Sequence, residues 1–255
     1  MFSRKRVFTK VVFFFGVIGM LFACEKNKDD NGPSARIFGT IQTFDDKLNT
    51  IPDVSGFQVV FEKAGGGSGI TAMSDATGKY TVDDLAFGTY NLTFSKSGYG
   101  TFKLFGVIHQ ESPSLSTQIP NQALGKLSTT TVTGLVVASN IIDGGPGVRF
   151  NYDISPAPST SSRAFVRYFL STNTNVSPTN YQKYTLLLSY SNTSNSTGFS
   201  KDSLTAMGFT AGQTVFARMY GDSWKSNDYK DPVSNKQVFP NINLTTVPAV
   251  SFVVP

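Results

Sequence analysis

From residue 35 onward, short runs of alternating apolar and polar residues follow one another, separated by glycine, aspartate and serine. Apolar side chains at every second position are typical of strands that bury one face. In residues 90–94, for example, tyrosine, leucine and phenylalanine alternate with asparagine and threonine. The turn formers recur before a helix could propagate. The pattern therefore predicts an almost wholly β protein.

The runs fall into two groups, and each group has enough short strands for a β-sandwich. Strand signals pause near residues 121–126, where short polar residues collect. We therefore expect an all-β fold of two tandem β-sandwich domains, at 35–124 and 125–255. The first set of predicted strands is 36–42, 57–62, 70–74, 79–82, 89–95, 102–109 and 115–119. The second set is 129–139, 148–154, 164–171, 184–190, 197–201, 214–221 and one or two strands within 238–253.

The first domain carries a distinctive set of turn and strand-entry residues. Asp75 and Gly78 suit the two ends of a tight turn, because aspartate caps such loops and glycine accepts a left-handed backbone. Gly88 precedes the strand that holds Tyr90. With the Gly-Thr-Ile at 39–41 and the Ser-Gly-Tyr at 97–99, these residues resemble the carboxypeptidase regulatory-like, transthyretin-like domain over about residues 35–124. Ser74 stands where that family commonly has threonine.

That resemblance implies architecture and no catalytic chemistry. The family fold is a small β-sandwich without catalytic residues, usually placed beside another domain. Asp75, Gly78, Gly88 and Tyr90 are then expected to be turn and core residues. The neighbouring Asp83 and Asp84 offer clustered oxygens of the kind that calcium prefers, but a solvated turn is the preferred interpretation.

In the second domain, residues 204–220 resemble the fibronectin type III segment that leads into a central strand, and 164–170 would be its partner strand. Two residues depart from that pattern: Ala211 stands where proline is typical, and Phe216 stands where a tyrosine hydroxyl would bond the backbone. The resemblance implies an immunoglobulin-like sandwich and fixes no ligand, since that fold hosts many binding roles.

The N-terminus predicts lipid attachment at Cys24, the one cysteine of the chain. Four basic residues precede an apolar stretch at 11–22 that is too short for a comfortable membrane span. Leu21 and Ala23 then match the lipobox of bacterial lipoproteins, which this segment resembles. That family is cut before the cysteine, which is acylated, and several chains anchor a protein firmly at ~0.8 kcal/mol per buried methylene. Residues 1–23 are thus a predicted signal peptide.

Residues 24–34 follow as the acylated cysteine and a charged tether without apolar side chains, too polar to fold. Lys28, Asp29 and Asp30 resemble the export signal that brings bacteroidete-type lipoproteins to the outer face of the outer membrane. The chain has 22 basic and 17 acidic residues, but four of the basic ones lie in the signal peptide. The mature chain is nearly neutral, so no basic surface points to a nucleic-acid partner.

The sequence singles out no catalytic or metal site. His109 is the only histidine, and no nucleophile motif stands beside it. A zinc site would need several histidine or cysteine ligands. We therefore expect a protein that is not an enzyme and needs no cofactor, with His109 as an ordinary strand or surface residue.

The segment that most suggests recognition is the predicted loop at 221–232. Trp224 and Tyr229 lie there among aspartate, asparagine and lysine, so they could stack on a sugar ring while their neighbours bond its hydroxyl groups. The alternative is that Trp224 packs the loop against the sheet. The leading hypothesis is a surface lipoprotein that binds glycans or a surface protein. The alternative is an accessory subunit that docks an outer-membrane transporter or a surface assembly.

The lipid anchor can be tested directly. Cys24→Ser should abolish fatty-acid labelling and leave unprocessed precursor, because the acceptor thiol and the cleavage signal are both lost. Metabolic labelling followed by electrophoresis measures both effects. Normal labelling of the variant would contradict the lipoprotein hypothesis.

Overall fold

A computed structural model describes residues 33–255, which form nineteen strands and one six-residue helix. The predicted all-β fold is confirmed, and Cys24 with its flanking segments lies outside the described residues. The elements are β1 (Ser34–Phe44), β2 (Thr50–Ile51), β3 (Gln58–Lys63), β4 (Ile70–Met73), β5 (Lys79–Ala86), β6 (Gly88–Ser95), β7 (Phe102–His109), β8 (Ser116–Gln118), β9 (Gln122–Gly125), β10 (Thr131–Ile142), β11 (Gly145–Ser155), β12 (Ala164–Ser171), β13 (Lys183–Tyr184), β14 (Leu188–Tyr190), β15 (Ser194–Ser200), α1 (Lys201–Ala206), β16 (Thr214–Asp222), β17 (Tyr229–Lys230), β18 (Gln237–Val238) and β19 (Val250–Val253).

The first sandwich packs two sheets around one apolar core. One sheet is built on β1, which pairs antiparallel with β2 and β5 and parallel with β8 and β9. The facing sheet has the order β4-β3-β6-β7. Alternate residues of β1 and β6 point inward, as their apolar spacing predicts. The fully buried side chains of this core include Ile37, Phe57, Val59, Leu85, Leu92 and Phe94.

Gly39, in the middle of β1, occupies a position where a side chain would clash with its surroundings. Tyr80 on β5 is almost wholly buried, and its ring lies directly over Gly39 on β1. A Cβ at Gly39 would lie 2.3 Å from the Tyr80 hydroxyl oxygen. The glycine therefore makes room for a large aromatic side chain at the centre of the core.

The turn at residues 75–78 has the structure that its sequence predicts. One carboxylate oxygen of Asp75 accepts hydrogen bonds from the backbone N–H groups of Thr77 and Lys79, at 2.8 and 3.0 Å. Gly78 has a φ of +79°, and a Cβ there would lie 2.4 Å from the carbonyl oxygen of Ile41. Tyr90 is buried, and its hydroxyl donates to the carbonyl of Ala86 at 2.7 Å. These are turn and core residues, as the resemblance implied.

The second sandwich packs the sheet β10-β11-β15 against the sheet β13-β12-β16-β19. β12 and β16 pair antiparallel, with Leu170 opposite Ala217, which confirms the expected partnership of residues 164–170 with the later strand. Val166, Tyr168 and Leu170 of β12 face the core between the sheets. All eight residues of β12 are nonetheless buried, so its outer face is covered as well.

A layer of loops covers that outer face. We call it the loop layer; it comprises residues 172–182 and 223–249. Its apolar side chains join those that β12 and β16 point outward, and Phe216 packs here beside this cluster. The buried members of the cluster are Phe169, Val176, Tyr220, Phe239 and Ile242. The second domain is thus a sandwich with a third layer on one side.

β2 and β17 have no counterpart among the predicted strands, and three further differences concern longer segments. The run predicted at 184–190 is broken into β13 and β14, which both pair with β12. The run predicted at 197–201 ends at Ser200, whose side chain caps helix α1 by accepting the N–H of Ser203 at 3.2 Å. Residues 122–125, where strand signals pause, form β9 and pair with β1.

The two sandwiches belong to the same compact unit, and buried asparagines connect them. Asn227 and Asn241 of the loop layer are 2% and 0% exposed. The Asn227 side chain accepts the N–H of Gly125 on β9 at 2.9 Å, and Asn241 donates to the carbonyls of Gly125 and Lys126 at 2.8 and 2.9 Å. The backbones are so close that a Cβ at Gly125 would lie 1.8 Å from the Lys225 carbonyl oxygen. That each sandwich folds alone stays a prediction.

This close contact predicts a large effect of one methyl group. Gly125→Ala should lower the free energy of unfolding by about 2 kcal/mol or more, because the loop layer and β9 must move apart. Denaturant unfolding measures the change. Gly145→Ala is the matched control, since the nearest atom to its Cβ would be 4.0 Å away. Equal stability of the two variants would show that the contact contributes little.

Candidate functional site

An aromatic cleft opens on the loop layer of the second sandwich. It has a volume of about 420 Å³ and lies between the segment around β13 and the hairpin formed by β17 and β18. We call it the Tyr184 cleft. Its lining residues are Tyr181, Gln182, Tyr184, Lys230, Asn235, Lys236 and Gln237. Two aromatic rings lie among five polar side chains, so a ligand in this cleft could both stack and form hydrogen bonds.

Tyr184 provides a fixed, exposed aromatic surface in this cleft. Its pairing with β12 places it opposite Phe169, and 39% of the residue is exposed. Its ring contacts the rings of Tyr181 and Phe239 edge to face, with centroids 5.5 and 4.8 Å apart and interplanar angles of 87° and 67°. Such contacts are favourable and hold a ring in one orientation. The exposed side of the Tyr184 ring is thereby positioned before any ligand arrives.

Tyr181 is the inner ring of the cleft. Its hydroxyl donates to the carbonyl of Gln237 at 2.8 Å, which ties the residue to the hairpin. Burial raises the pKa of Tyr181, so the hydroxyl stays protonated at neutral pH. The Lys236 ammonium lies over the Tyr181 ring, 5.6 Å from its centroid. The contact is within the range of a cation–π interaction.

The hairpin is shaped by Asp231 at its turn. One carboxylate oxygen of Asp231 accepts the N–H groups of Val233 and Ser234 at 3.0 and 2.7 Å. The hydrogen bonds from Ser234 are the main cause of the lowered pKa of Asp231. In the resulting register Lys230 stands opposite Gln237, and both line the cleft.

A buried ion network lies next to residues that line the cleft. Arg167 on β12 is 4% exposed and contacts two carboxylates: its Nε donates to Asp222 at 2.9 Å and its Nη2 to Asp228 at 3.0 Å. Its Nη1 donates to the carbonyl of Thr185, next to Tyr184, at 3.1 Å. The guanidinium lies 4.6 Å from the centroid of Phe239, the ring that supports Tyr184. Arg167 thus contacts both the segment of β13 and the residue that follows β18, the two segments between which the cleft lies.

One guanidinium serves two carboxylates in this network, so one negative charge is left over when both are ionised. Burial raises the pKa of Asp222 and raises that of Asp228 to about 6, while Arg167 opposes both shifts. A proton on Asp228 would remove the excess negative charge and stabilise the buried network. The network should therefore stabilise the fold more as the pH falls through about 6, where Asp228 takes up its proton.

The recognition residues predicted from the sequence lie elsewhere. Trp224 is 42% exposed, and its backbone N–H donates to the carbonyl of Asp46 in the first sandwich at 3.1 Å. The Tyr229 ring lies against Phe105 of β7, with centroids 5.9 Å apart. Neither residue lines the Tyr184 cleft. That the Trp224 to Tyr229 loop contacts a ligand stays a prediction.

His109 and the paired aspartates have structural surroundings. His109 is 1% exposed, and its ring nitrogens lie 2.8 Å from the Thr117 hydroxyl and 2.9 Å from the Leu85 carbonyl. The expectation that Asp83 and Asp84 form a solvated turn was wrong, because both lie in β5, where Asp83 forms an exposed ion pair with Arg36 at 2.7 Å. Among residues 33–255, no three His, Cys, Asp or Glu side chains are grouped as metal ligands. No helix in the same range is long and apolar enough to cross a membrane.

The sequence held signals for the residues that form the cleft. Tyr181 and Tyr184 stand three positions apart beside glutamine and lysine, outside the loop that was singled out. Arg167 is the only charged residue in the otherwise apolar run 164–170. A charge at the middle of a buried strand needs a partner. It could have indicated a buried ion network, although not which carboxylates complete it.

Comparison with known proteins supports the family resemblance of the first domain. Residues 49–119 match the family model of the carboxypeptidase regulatory-like domain. This match confirms the resemblance seen in the turn and strand-entry residues. It covers less than half of the chain and does not include the second sandwich. No curated protein matches the chain.

Several solved structures resemble the chain at low similarity. A DUF3823 family protein from Parabacteroides merdae is 11% identical, with 87% of this chain and 99% of that chain covered and a TM-score of 0.30. A proposed carbohydrate-binding protein from Bacteroides uniformis is 13% identical, with 87% and 100% covered and a TM-score of 0.32. A cohesin–X-dockerin structure from Acetivibrio cellulolyticus is 19% identical, with 37% of this chain and 59% of that chain covered and a TM-score of 0.29. TM-scores this low do not establish a shared ligand or partner.

The ion network predicts a pH dependence of stability. The pKa of Asp228 is about 6 in the folded chain and near 3.8 without the fold, so the folded state binds the proton more tightly between these values. The wild type should therefore gain stability, relative to Asp228→Asn, by about 1 kcal/mol between pH 7 and pH 5. Denaturant unfolding of both proteins at several pH values measures this difference. Parallel pH profiles would contradict the assignment.

Proposed function

We propose that this protein is a lipid-anchored, surface-exposed binding module, and that the Tyr184 cleft of its second sandwich binds a glycan. The observation that carries the proposal is the exposed Tyr184 ring, held by edge-to-face contacts with Tyr181 and Phe239. A ring fixed in this way loses little entropy when a ligand stacks on it. The cleft is thus prepared for a flat, partly apolar surface.

The other cleft residues favour a sugar as that surface. A pyranose ring has an apolar face and a rim of hydroxyl groups that both donate and accept hydrogen bonds. Gln182, Asn235 and Gln237 carry amide side chains around the cleft, and an amide also offers both donors and an acceptor. An aromatic surface with amides at its edge therefore matches both parts of a sugar.

The proposal also assigns the membrane attachment to the N-terminus. In this proposal Cys24 carries the lipid, residues 24–34 act as the tether, and the two sandwiches face outward from the outer membrane. The match of residues 49–119 to the carboxypeptidase regulatory-like family supports a non-catalytic first module. The second sandwich, proposed as fibronectin III-like, then presents the cleft.

A non-catalytic role is also supported by the environment of His109. Its two ring nitrogens are both within hydrogen-bond distance of partners inside the first sandwich. A general base needs a nitrogen that can reach the reacting group. His109 therefore has a structural role between strands of the first sandwich. Because it is the one histidine of the sequence, no other histidine can act as a base.

The proposal predicts that one ring carries much of the affinity. Tyr184→Ala should weaken glycan binding roughly 30-fold, because a central aromatic anchor contributes ~2 kcal/mol. Tyr184→Phe keeps the ring and should bind nearly as well as the wild type. A glycan array with the mature protein identifies ligands, and calorimetry measures the affinities.

Trp224→Ala is the matched control, since it removes another exposed aromatic side chain of the second sandwich. It should leave affinity unchanged if the Tyr184 cleft is the site. Loss of binding in this variant, with normal binding by Tyr184→Ala, would favour the loop predicted from the sequence. If the wild type binds no glycan, the docking role becomes the better account. Melting temperatures of all variants separate lost binding from lost folding.

A further inference from the structure

We propose that the Tyr184 cleft selects glycans that carry acidic groups, through the ammonium groups of Lys230 and Lys236. This inference rests on the proposed function and adds the chemical class of the ligand. The shared chemistry is a sugar ring that bears an anionic substituent, either a carboxylate or a sulfate. The proposal rests on two observations: two lysines line the cleft, and the nearby aspartates do not.

The cleft lining has two cations and no anion. Within residues 33–255 neither Lys230 nor Lys236 forms a salt bridge. A lysine without an acidic partner beside a concave surface leaves a positive field at that surface. The two ammonium groups are therefore available to an incoming anion.

The two carboxylates near the cleft, those of Asp228 and Asp231, accept hydrogen bonds from residues outside its lining. Asp231 is next to Lys230 in sequence, but its carboxylate accepts hydrogen bonds from Val233 and Ser234 inside the hairpin turn. Asp228 accepts a hydrogen bond from Arg167 in the buried ion network. Because both lysines line the cleft and neither acid does, a negative ligand group in the cleft would contact the ammonium groups rather than a carboxylate.

One lysine is also held in place. The Lys236 ammonium lies over the Tyr181 ring, and that ring contacts Tyr184 edge to face. Lys230 stands opposite Gln237 on the paired strands of the hairpin. The cations therefore stand beside the aromatic surface on which a sugar ring would stack. An acidic group on the rim of a stacked ring can then reach a cation without disturbing the stack.

The test compares three ligands on the mature protein: an oligogalacturonate, its methyl ester and poly-L-glutamate. The ester keeps the sugar rings without the charge, and the polypeptide keeps the charge without the rings. The oligogalacturonate should bind roughly tenfold more tightly than its ester. That preference should shrink as salt rises, because screening weakens exposed charges. Poly-L-glutamate should bind weakly. A sulfated oligosaccharide in a parallel arm distinguishes sulfate from carboxylate.

The variants separate this inference from the function on which it rests. Lys230→Met with Lys236→Met should reduce the ratio of acid to ester affinity to about one, whereas Tyr184→Ala should weaken binding of both ligands and keep that ratio. Lys201→Met is the control for loss of an exposed lysine elsewhere on the second sandwich. Equal binding of acid and ester by the wild type would overturn the acidic selectivity and leave glycan binding standing. Equal binding of poly-L-glutamate, or no glycan binding at all, would overturn both.

Discussion

The contact on which the second sandwich depends is the one between Arg167 and its two carboxylates. Arg167 projects from the outer face of a strand that is buried on both sides, where an unpaired charge would be very costly. Asp222 comes from the neighbouring strand and Asp228 from the loop layer, so the charge is neutralised only when that layer closes over the sheet. Removing one partner of such a buried network typically costs 3–5 kcal/mol, by order of magnitude. The ion network thereby specifies where the loops lie.

The same loops connect the sandwiches and build the cleft. Asn227, one residue before Asp228, binds β9 of the first sandwich, and Tyr229, one residue after it, packs on Phe105. The hairpin that begins at Tyr229 then carries Lys230 and Gln237 to the cleft. A short stretch of chain therefore joins the buried charge, the contact between the sandwiches and the candidate site. This arrangement explains why glycine is needed at residue 125, where the loop backbone comes close.

The regular parts of this structure follow from local patterns, and the candidate site does not. β7 and β12 have the limits that their apolar runs predict, and the turn at Asp75 and Gly78 follows from the conformational preferences of those residues. β9 has only four residues, of which Ala123 and Leu124 are apolar, and it forms where β1 offers it an edge to pair with. The cleft joins residues about 50 positions apart, and their approach depends on which acids pair with Arg167. The composition of residues 221–232 pointed to Trp224 as a recognition residue. Composition and spacing along the chain cannot show that the backbone of this loop contacts the first sandwich.

Hydrogen exchange of the wild type and Arg167→Met, followed by mass spectrometry of peptides, tests this account most directly. Methionine keeps much of the side-chain volume and removes the charge, so the two carboxylates lose their partner. The account predicts faster exchange in residues 223–243 together with residues 181–185, while β11 in the opposite sheet keeps its protection. Unchanged exchange in the loop layer would contradict the central role of Arg167. A uniform loss of protection across both sheets would contradict it as well, because the network would then hold the whole fold rather than the loops.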